Sequence, residues 1–534
     1  MQKDSLLKGT AVLGSALIIA KFFGLIYRLI LPNLVGSQVM GLYGMSYSVY
    51  AVLLTLSMAG IPIAVSKLIS GYTAVNDYKG AKRVFRIAFI SINATGLFFS
   101  LILFFGANYI AENITGDPRA ALSLQAVAPA IFVVSLMSSF RGYFQGLQQM
   151  TKTAVSQLLE QFLRVFGIIF FAYLLLPKGE EFAAAGASFG NVIGAFIGFC
   201  YLLFCYIKTP FQGKGEISSV SIADEKALEI VKKIFYLSFP IIIGNLIMPM
   251  MNLIDATVVV NRLTETGFSQ HEATALFAYL SQYATPLIRF PGTLGMALAM
   301  SLVPAISESI SKNEMEQAKR RGRLAFRFAI LVGLPSSVGM FIMAEPIINL
   351  IFPGAPGASR VLMFLSPAVV FLITKYATTG ILQGLGKTMI PVKNLFIGAI
   401  LKLIITYLLT SIPEINVIGA ALGTVIAQAL AMILNYKKVK ELLDVELKPG
   451  VDFIKPLLCS LIMGLVVFVT YNGMSFFISN NLAAISGIGI GVLSYSILLL
   501  ILQVIGKEEL YMVPRYGPPF VRLMEKVMEK IKVW

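Results

Sequence analysis

The sequence predicts an all-α protein that crosses a membrane many times, and three observations carry the prediction. Of 534 residues, 57% are hydrophobic and 13% charged, with a mean hydropathy of +0.81, far outside the range of soluble domains. The apolar residues fall into separate runs of roughly 20, the length of a helix across a hydrocarbon core. They do not alternate every second residue, as the strands of a membrane barrel must.

Taken in order, the first run lies in Met1–Pro32, which has a basic start and no small-residue cleavage site, so it reads as a first span and not as a cleaved leader. Breaks at Pro, Gly and charge clusters then give fourteen spans: 9 to 31, 40 to 62, 85 to 110, 120 to 141, 154 to 176, 184 to 207, 234 to 260, 274 to 304, 325 to 351, 360 to 384, 390 to 411, 416 to 436, 453 to 477 and 483 to 505. With the N-terminus inside, 33 of the 43 Lys and Arg fall in cytoplasmic segments or the span ends that border them. The external side holds four, Arg119, Lys178, Arg262 and Arg360, and six lie inside spans. This asymmetry is expected to place both termini in the cytoplasm and makes the chain a multi-pass membrane protein. The net charge of +16 is thereby read as membrane topology, not as a nucleic-acid surface.

The two halves of the chain repeat. Ala81-Lys82-Arg83 recurs as Ala318-Lys319-Arg320, an offset of 237; the string from Phe144 to Leu147 recurs from Leu382 to Leu385, an offset of 238; and Gly186 to Gly190 recurs as Gly419 to Gly423, an offset of 233. Six spans separate equivalent positions, and because six is even the repeats share one orientation, related by a pseudo-two-fold axis along the membrane normal. The expected organisation is an N-lobe at 1–207, a cytoplasmic linker at 208–233, a C-lobe at 234–436, two further spans at 437–505 and an amphipathic cytoplasmic tail at 506–534. In that tail Phe520, Met524, Val527, Ile531 and Trp534 form one stripe opposite Arg522, Lys526, Lys530 and Lys532, the pattern of a helix lying on anionic lipid.

Chemistry is sought where the bilayer makes charge unfavourable, since a charge at its centre costs about 3 kcal/mol. Eight ionisable residues qualify: Lys21, Arg28, Glu160, Arg164, Asp255, Arg289, Lys375 and Lys402. Six are cations, so ion pairing cannot neutralise the set, and an anionic group suits the surplus. Lys21 and Arg28 stand two turns apart on one helix face; for Arg28, near Pro32, snorkelling to the interface is the alternative to a cavity role. Arg289 precedes Phe290-Pro291-Gly292, where a kink or broken helix is expected. Glu160 and Arg164, spaced i, i+4, are either a self-neutralising pair or a coupling-ion site. Asp255 is either a latch, with Arg28 or Arg289 as partner, or a residue of the external vestibule. Lys375 and Lys402 rank lower, as structural or snorkelling residues. Cys200, Cys205 and Cys459 sit in apolar runs and His271 stands alone, so neither a disulfide framework nor a metal site is expected.

Five strings carry a family resemblance: Leu7-Lys8-Gly9-Thr10, Gly60 to Lys67, Arg141 to Gly146, Thr153 to Val165, and Phe290 to Leu298. With them the chain resembles the multidrug, oligosaccharidyl-lipid and polysaccharide exporter superfamily, most closely its Gram-positive stage V sporulation B-like and MurJ-like lipid II flippases. The resemblance covers nearly the whole chain. It implies alternating access, a hydrated cavity where the lobes meet, and an undecaprenyl-diphosphate-linked saccharide as substrate. It also implies cavity cations on the first, second and eighth spans. Here these are Lys21 and Arg28, Lys67 in place of an arginine inside span two, and Arg289, a turn beyond the family's position at Pro286.

A flippase for such a lipid, lipid II foremost, is therefore expected, serving peptidoglycan synthesis; a different lipid-linked polysaccharide or a sporulation-specific cortex precursor is the alternative. A drug or cation antiporter of the same superfamily would carry acidic and aromatic cavity residues instead. A membrane glycosyltransferase would need large loops with paired carboxylates, which are missing outside the linker. No enzyme activity and no cofactor are expected, while coupling to the membrane potential, H+ or Na+ stays open. The expected state is a monomer, in contact with anionic lipid and with the cell-wall synthesis machinery.

Overall fold

In the computed structural model, residues 6–208 and 226–504 are described, and every regular element among them is helical. Residues 209–225, most of the expected linker, and the expected tail at 506–534 lie outside the described residues.

The first helix, α1 (Leu6–Met58), has 53 residues, roughly 80 Å at 1.5 Å per residue and more than twice a hydrocarbon core. It is two helical stretches joined at Gly36, whose φ of 78° and ψ of 175° are not helical. Pro32, one turn earlier, has no N–H to give to the carbonyl of Arg28. α2 (Ile61–Ala74) follows left-handed Gly60, and α3 (Tyr78–Asn113) is capped by Asp77, which accepts from the Gly80 amide at 2.8 Å. Next come α4 (Ala121–Gly146), α5 (Met150–Leu175), α6 (Glu180–Lys208) and α7 (Ala227–Glu265). α8 (Gln270–Ala278) starts with a capping box between Ser269 and Glu272 and runs through a π-helical turn, Tyr279–Ala284, into α9 (Thr285–Ser311). Then follow α10 (Met315–Ile342), α11 (Ala344–Ile351), α12 (Ala358–Leu365), α13 (Ala368–Gly384), α14 (Met389–Thr410), α15 (Ile418–Leu443), α16 (Lys455–Met474) and α17 (Asn480–Ile501).

Among the described residues twelve helices are long and apolar enough to cross a membrane, or thirteen if α12 and α13, bent by 44° at their junction, count as one span. The sequence predicts fourteen. One span of the difference arises in α1, because the segments predicted as spans one and two run on through Gly36 as a single element; the other is the span predicted at 360–384, which the bend between α12 and α13 interrupts.

The chain divides into two compact units. One runs to Gln282 and takes in Thr410–Glu414; the other holds Tyr283–Leu409 and the chain from Ile415. In the first unit α4 packs on α2 at Gly142 and Gly146, where a Cβ on Gly146 would stand 2.7 Å from Ile69 Cβ and 3.0 Å from Ser66 O. The second unit has the same joint between α13 and α9: a Cβ on Gly384 would stand 2.7 Å from Ile306 Cβ and 3.0 Å from Val303 O. Each residue pair is displaced by 237 or 238 positions, the offset of the sequence repeat. The duplication therefore extends from short strings to a packing geometry that only a residue without Cβ permits.

A third close approach positions the charged residues. Gly186, Gly190, Gly194 and Gly198 fall every fourth residue along one face of α6 and meet α5: a Cβ on Gly190 would come within 2.3 Å of Ile168 N, and one on Gly194 within 2.7 Å of Glu160 O. Behind them Phe85, Phe140, Tyr143 and Tyr206 stack into an aromatic core, with Phe85 and Tyr143 centroids 4.6 Å apart.

Candidate functional site: cationic clusters in each unit

In the first unit, α5 turns Glu160 inward to a site where it is 4% exposed. A carboxylate that dry must be compensated, and two arginines reach it. Arg164, one turn on, donates from Nη2 to Oε1, as the spacing predicts. Arg141, near the end of α4, donates from Nη2 to Oε2 at 2.7 Å and to Ser156 Oγ at 3.1 Å. The group is thus a triad of formal charge +1, not a neutral pair. The Nε groups of both arginines are buried with no hydrogen-bond acceptor among the described residues.

Along the chain Arg141 is one more basic residue bordering the cytoplasm, with nothing to mark it as a partner of Glu160. Its position at the head of the string from Arg141 to Gly146 was a usable signal. What the sequence lacked was the pairing of α4 with α5, which depends on how closely the α6 glycines draw α5 in.

Arg28 lies in the same unit, half-buried, with its guanidinium 5.8 Å from the centroid of the Tyr27 ring and Nε 3.3 Å from the Tyr27 hydroxyl. Tyr27, Tyr43 and Tyr47 of α1 lie near it, and Arg164 of α5 lies near Tyr27 and Tyr50. Phe23 of α1 meets Phe162 of α5 edge-on at 5.7 Å. Cations and phenols of α1 and α5 therefore share one side of this unit. The Lys21 side chain lies outside the described residues. Lys67 is exposed on α2. Asp255 is buried on the face of α7 that also buries Met251 and Val259.

In the second unit, Arg289 of α9 lies near Lys375 and Tyr376 of α13. Lys375, 5% exposed, donates to Gln428 Oε1 of α15 at 2.8 Å and lies 4.9 Å from the Tyr376 centroid. Lys402 of α14 is 2% exposed. The structure thus draws Lys375, a lower-ranked residue in the sequence, into company with Arg289.

Two further carboxylates carry structure that the sequence did not disclose. Asp117, fully buried before α4, accepts from Arg119 Nε at 3.0 Å, from Arg119 Nη2 at 2.7 Å and from Thr274 Oγ1 of α8 at 2.6 Å. Beside this clasp, Gln38 of α1 donates to the His271 carbonyl at 2.6 Å. Asp452, also buried, takes Arg327 at 3.1 Å, Arg323 at 3.2 Å and the Lys448 amide at 2.7 Å, fixing the entry to α16 against α10. Among the described residues no group of three His, Cys, Asp or Glu is placed to hold a metal ion.

Spanning helices with cations in their interiors, in two units built on one repeated joint, define a multi-pass membrane protein of the transporter class. Comparison with known proteins makes this specific. The family described as polysaccharide biosynthesis protein matches residues 6–310 and the MatE family matches 240–408. The chain belongs to the polysaccharide biosynthesis protein family, in the stage V sporulation B-like and MurJ-like branch of the wider exporter superfamily.

Stage V sporulation protein B of Bacillus subtilis is 28% identical over 98% of this chain and 100% of its own. Lipid II flippase MurJ of the same organism is 27% identical over 89% of this chain and 90% of its own. Among solved structures, the lipid II flippase MurJ in an inward closed conformation superposes with a TM-score of 0.69 at 18% identity, over 92% of this chain and 98% of that one. An inward-facing multidrug resistance MATE family transporter gives 0.67 at 14% identity, over 80% and 94%. These likenesses are to transporters and flippases, not to enzymes.

Proposed function

We propose that this chain is an alternating-access flippase that moves an undecaprenyl-diphosphate-linked saccharide, lipid II first among them, from the inner to the outer leaflet of the bacterial cell membrane for peptidoglycan synthesis. The observation that carries this reading is the surplus of cations inside the spanning helices. Arg28, Arg141 and Arg164 accompany Glu160 in one unit, and Arg289, Lys375 and Lys402 lie in the other. Cations held in a low-dielectric setting suit a diphosphate, which offers several charged oxygens to guanidinium and ammonium donors. A transporter of organic cations would need the opposite sign. The names of the Bacillus subtilis relatives support a role in the cell envelope, and that of stage V sporulation protein B favours a sporulation-stage substrate as the second reading.

Fourteen crossings, two six-helix lobes on a pseudo-two-fold along the membrane normal, two additional helices and cytoplasmic termini belong to the same proposal; the repeated glycine joint supports the lobes. Depletion of the protein in cells, followed by an assay of lipid II accessible at the outer leaflet, tests the substrate. Reduced exposure is expected, and unchanged exposure rejects lipid II. Arg289→Ala and Lys21→Ala are each expected to lose transport at normal membrane insertion, and full activity in both removes these residues from the site.

A further inference from the structure

The triad around Glu160 is asymmetric. Arg141 is fixed to α5 at two points one turn apart, Ser156 Oγ and Glu160 Oε2, and its side chain is 16% exposed. Arg164 is held by Nη2 on Glu160 Oε1, is 20% exposed, and shares its surroundings with the tyrosines of α1. Glu160 thus presents one oxygen to a cation held at two points and the other to a cation held at one.

We infer that Arg141 is a positioning residue for the anionic headgroup: by keeping Glu160 compensated, it lets Arg164 exchange its carboxylate contact for a diphosphate oxygen. The inference rests on the proposed flippase reading. Its physical basis is the penalty for an unpaired buried charge. If Glu160 had Arg164 alone, releasing that arginine to a ligand would strand a carboxylate in a dry site, so the pair would stay closed and the ligand would meet a neutral surface. With Arg141 in place, Glu160 keeps a charge-assisted hydrogen bond throughout the exchange. The carboxylate accepts from both arginines at once because its two oxygens offer about four lone-pair directions. Its role is then to hold Arg164 in a defined rotamer until an anion arrives, and the net charge of +1 is what draws the anion in.

The test uses the full-length protein in phosphatidylcholine nanodiscs with farnesyl diphosphate as probe, read by calorimetric titration. Arg164→Gln is expected to weaken binding about tenfold, the scale of a coupled charge contact. Arg141→Gln, although remote from the probe, is expected to weaken it by a similar factor, because uncompensated Glu160 then holds Arg164. The double variant Arg141→Gln/Glu160→Gln is expected to return to within about threefold of the parent. That rescue is a readout that a merely structural arginine would not give. Unchanged affinity in Arg141→Gln overturns the inference, as does a double variant no better than the single. Should Arg141→Gln fail to fold, Arg141→Lys retains a cation opposite Glu160 and is expected to bind within about threefold of the parent; a loss equal to that of Arg164→Gln overturns the inference. Equal displacement of the probe by phosphatidylglycerol overturns the diphosphate assignment. A parent protein that does not bind the probe at all overturns the flippase reading itself, an outcome separate from the pattern among variants.

Discussion

Arg141 Nη2 lies 2.7 Å from Glu160 Oε2, a contact that ties α4 to α5 across nineteen residues of sequence. Because Glu160 is also held by Arg164, this carboxylate is all that separates two guanidiniums from mutual repulsion in a dry setting. Glu160→Ala is therefore expected to destabilise the protein by about 3 kcal/mol, as loss of one partner from a buried ion pair does. Thermal unfolding in detergent checks this, and an unchanged midpoint would show the triad to be solvated.

Gly194 lets α6 approach the backbone of α5 directly behind that carboxylate. A Cβ there would stand 2.6 Å from Arg164 Cβ and 2.7 Å from Glu160 O, whereas one on Gly71 of α2 would meet nothing within 4 Å. Gly194→Ala is expected to lower stability by about 1–3 kcal/mol through overpacking, and Gly71→Ala to raise it by up to about 1 kcal/mol, because Ala is the better helix former. Melting curves of the two variants side by side decide the matter; equal effects would mean that α5 and α6 are not in close contact.

The clasp at Asp117 predicts a local effect. Asp117→Ala leaves Arg119 with only its longer carboxylate contact, to Glu180 at 3.5 Å, and Thr274 without its acceptor, at a cost of about 1–3 kcal/mol. Hydrogen exchange should then quicken at the start of α8 and around Gln38, while α16 and α17 stay as protected as before. Uniform exchange across the chain would show that the clasp holds nothing locally.

An exposed pair gives a pH dependence. The Lys319 ammonium, 2.7 Å from Asp444 Oδ2, donates a hydrogen bond and a favourable charge that hold this carboxyl below its ordinary value of 3.8. A carboxyl depressed in the folded state stabilises it above the ordinary value, and that contribution disappears as pH falls below 3.8 through the folded value. The stability difference between the parent and Asp444→Asn should therefore shrink over that acid range and in high salt. A difference that persists under both conditions would show that the pair contributes nothing.

Most of the helices were legible in the sequence, because apolar runs of one bilayer's length are signalled by composition alone. The i, i+4 pairing of Glu160 with Arg164 was legible for the same reason, being local to one helix. What stayed hidden was tertiary. The stripe at Gly186, Gly190, Gly194 and Gly198 stands in plain view, yet spacing names a face and not the neighbour that face meets. Arg141 looked like a border residue because a helix end shows a cation but not the direction its side chain takes. The partner of Lys375 is not legible, since Gln428 lies 53 residues away and on another helix. The count of fourteen differs from the structure at the bend between α12 and α13 and where α1 passes Gly36, a position at which the sequence shows a small residue and not the φ of 78° that it adopts.

Interrupted once, α1 has one place to pivot. Beyond Gly36, α8 and the turn after it press on the chain at Gly41 and Gly44, so that stretch is anchored. Arg28 rides on the opposite arm, two turns before the swivel. Rotation about a single pair of glycine torsions would carry that cation along an arc while each flanking stretch keeps its own ladder of backbone hydrogen bonds, giving the first helix a lever that moves charge without melting.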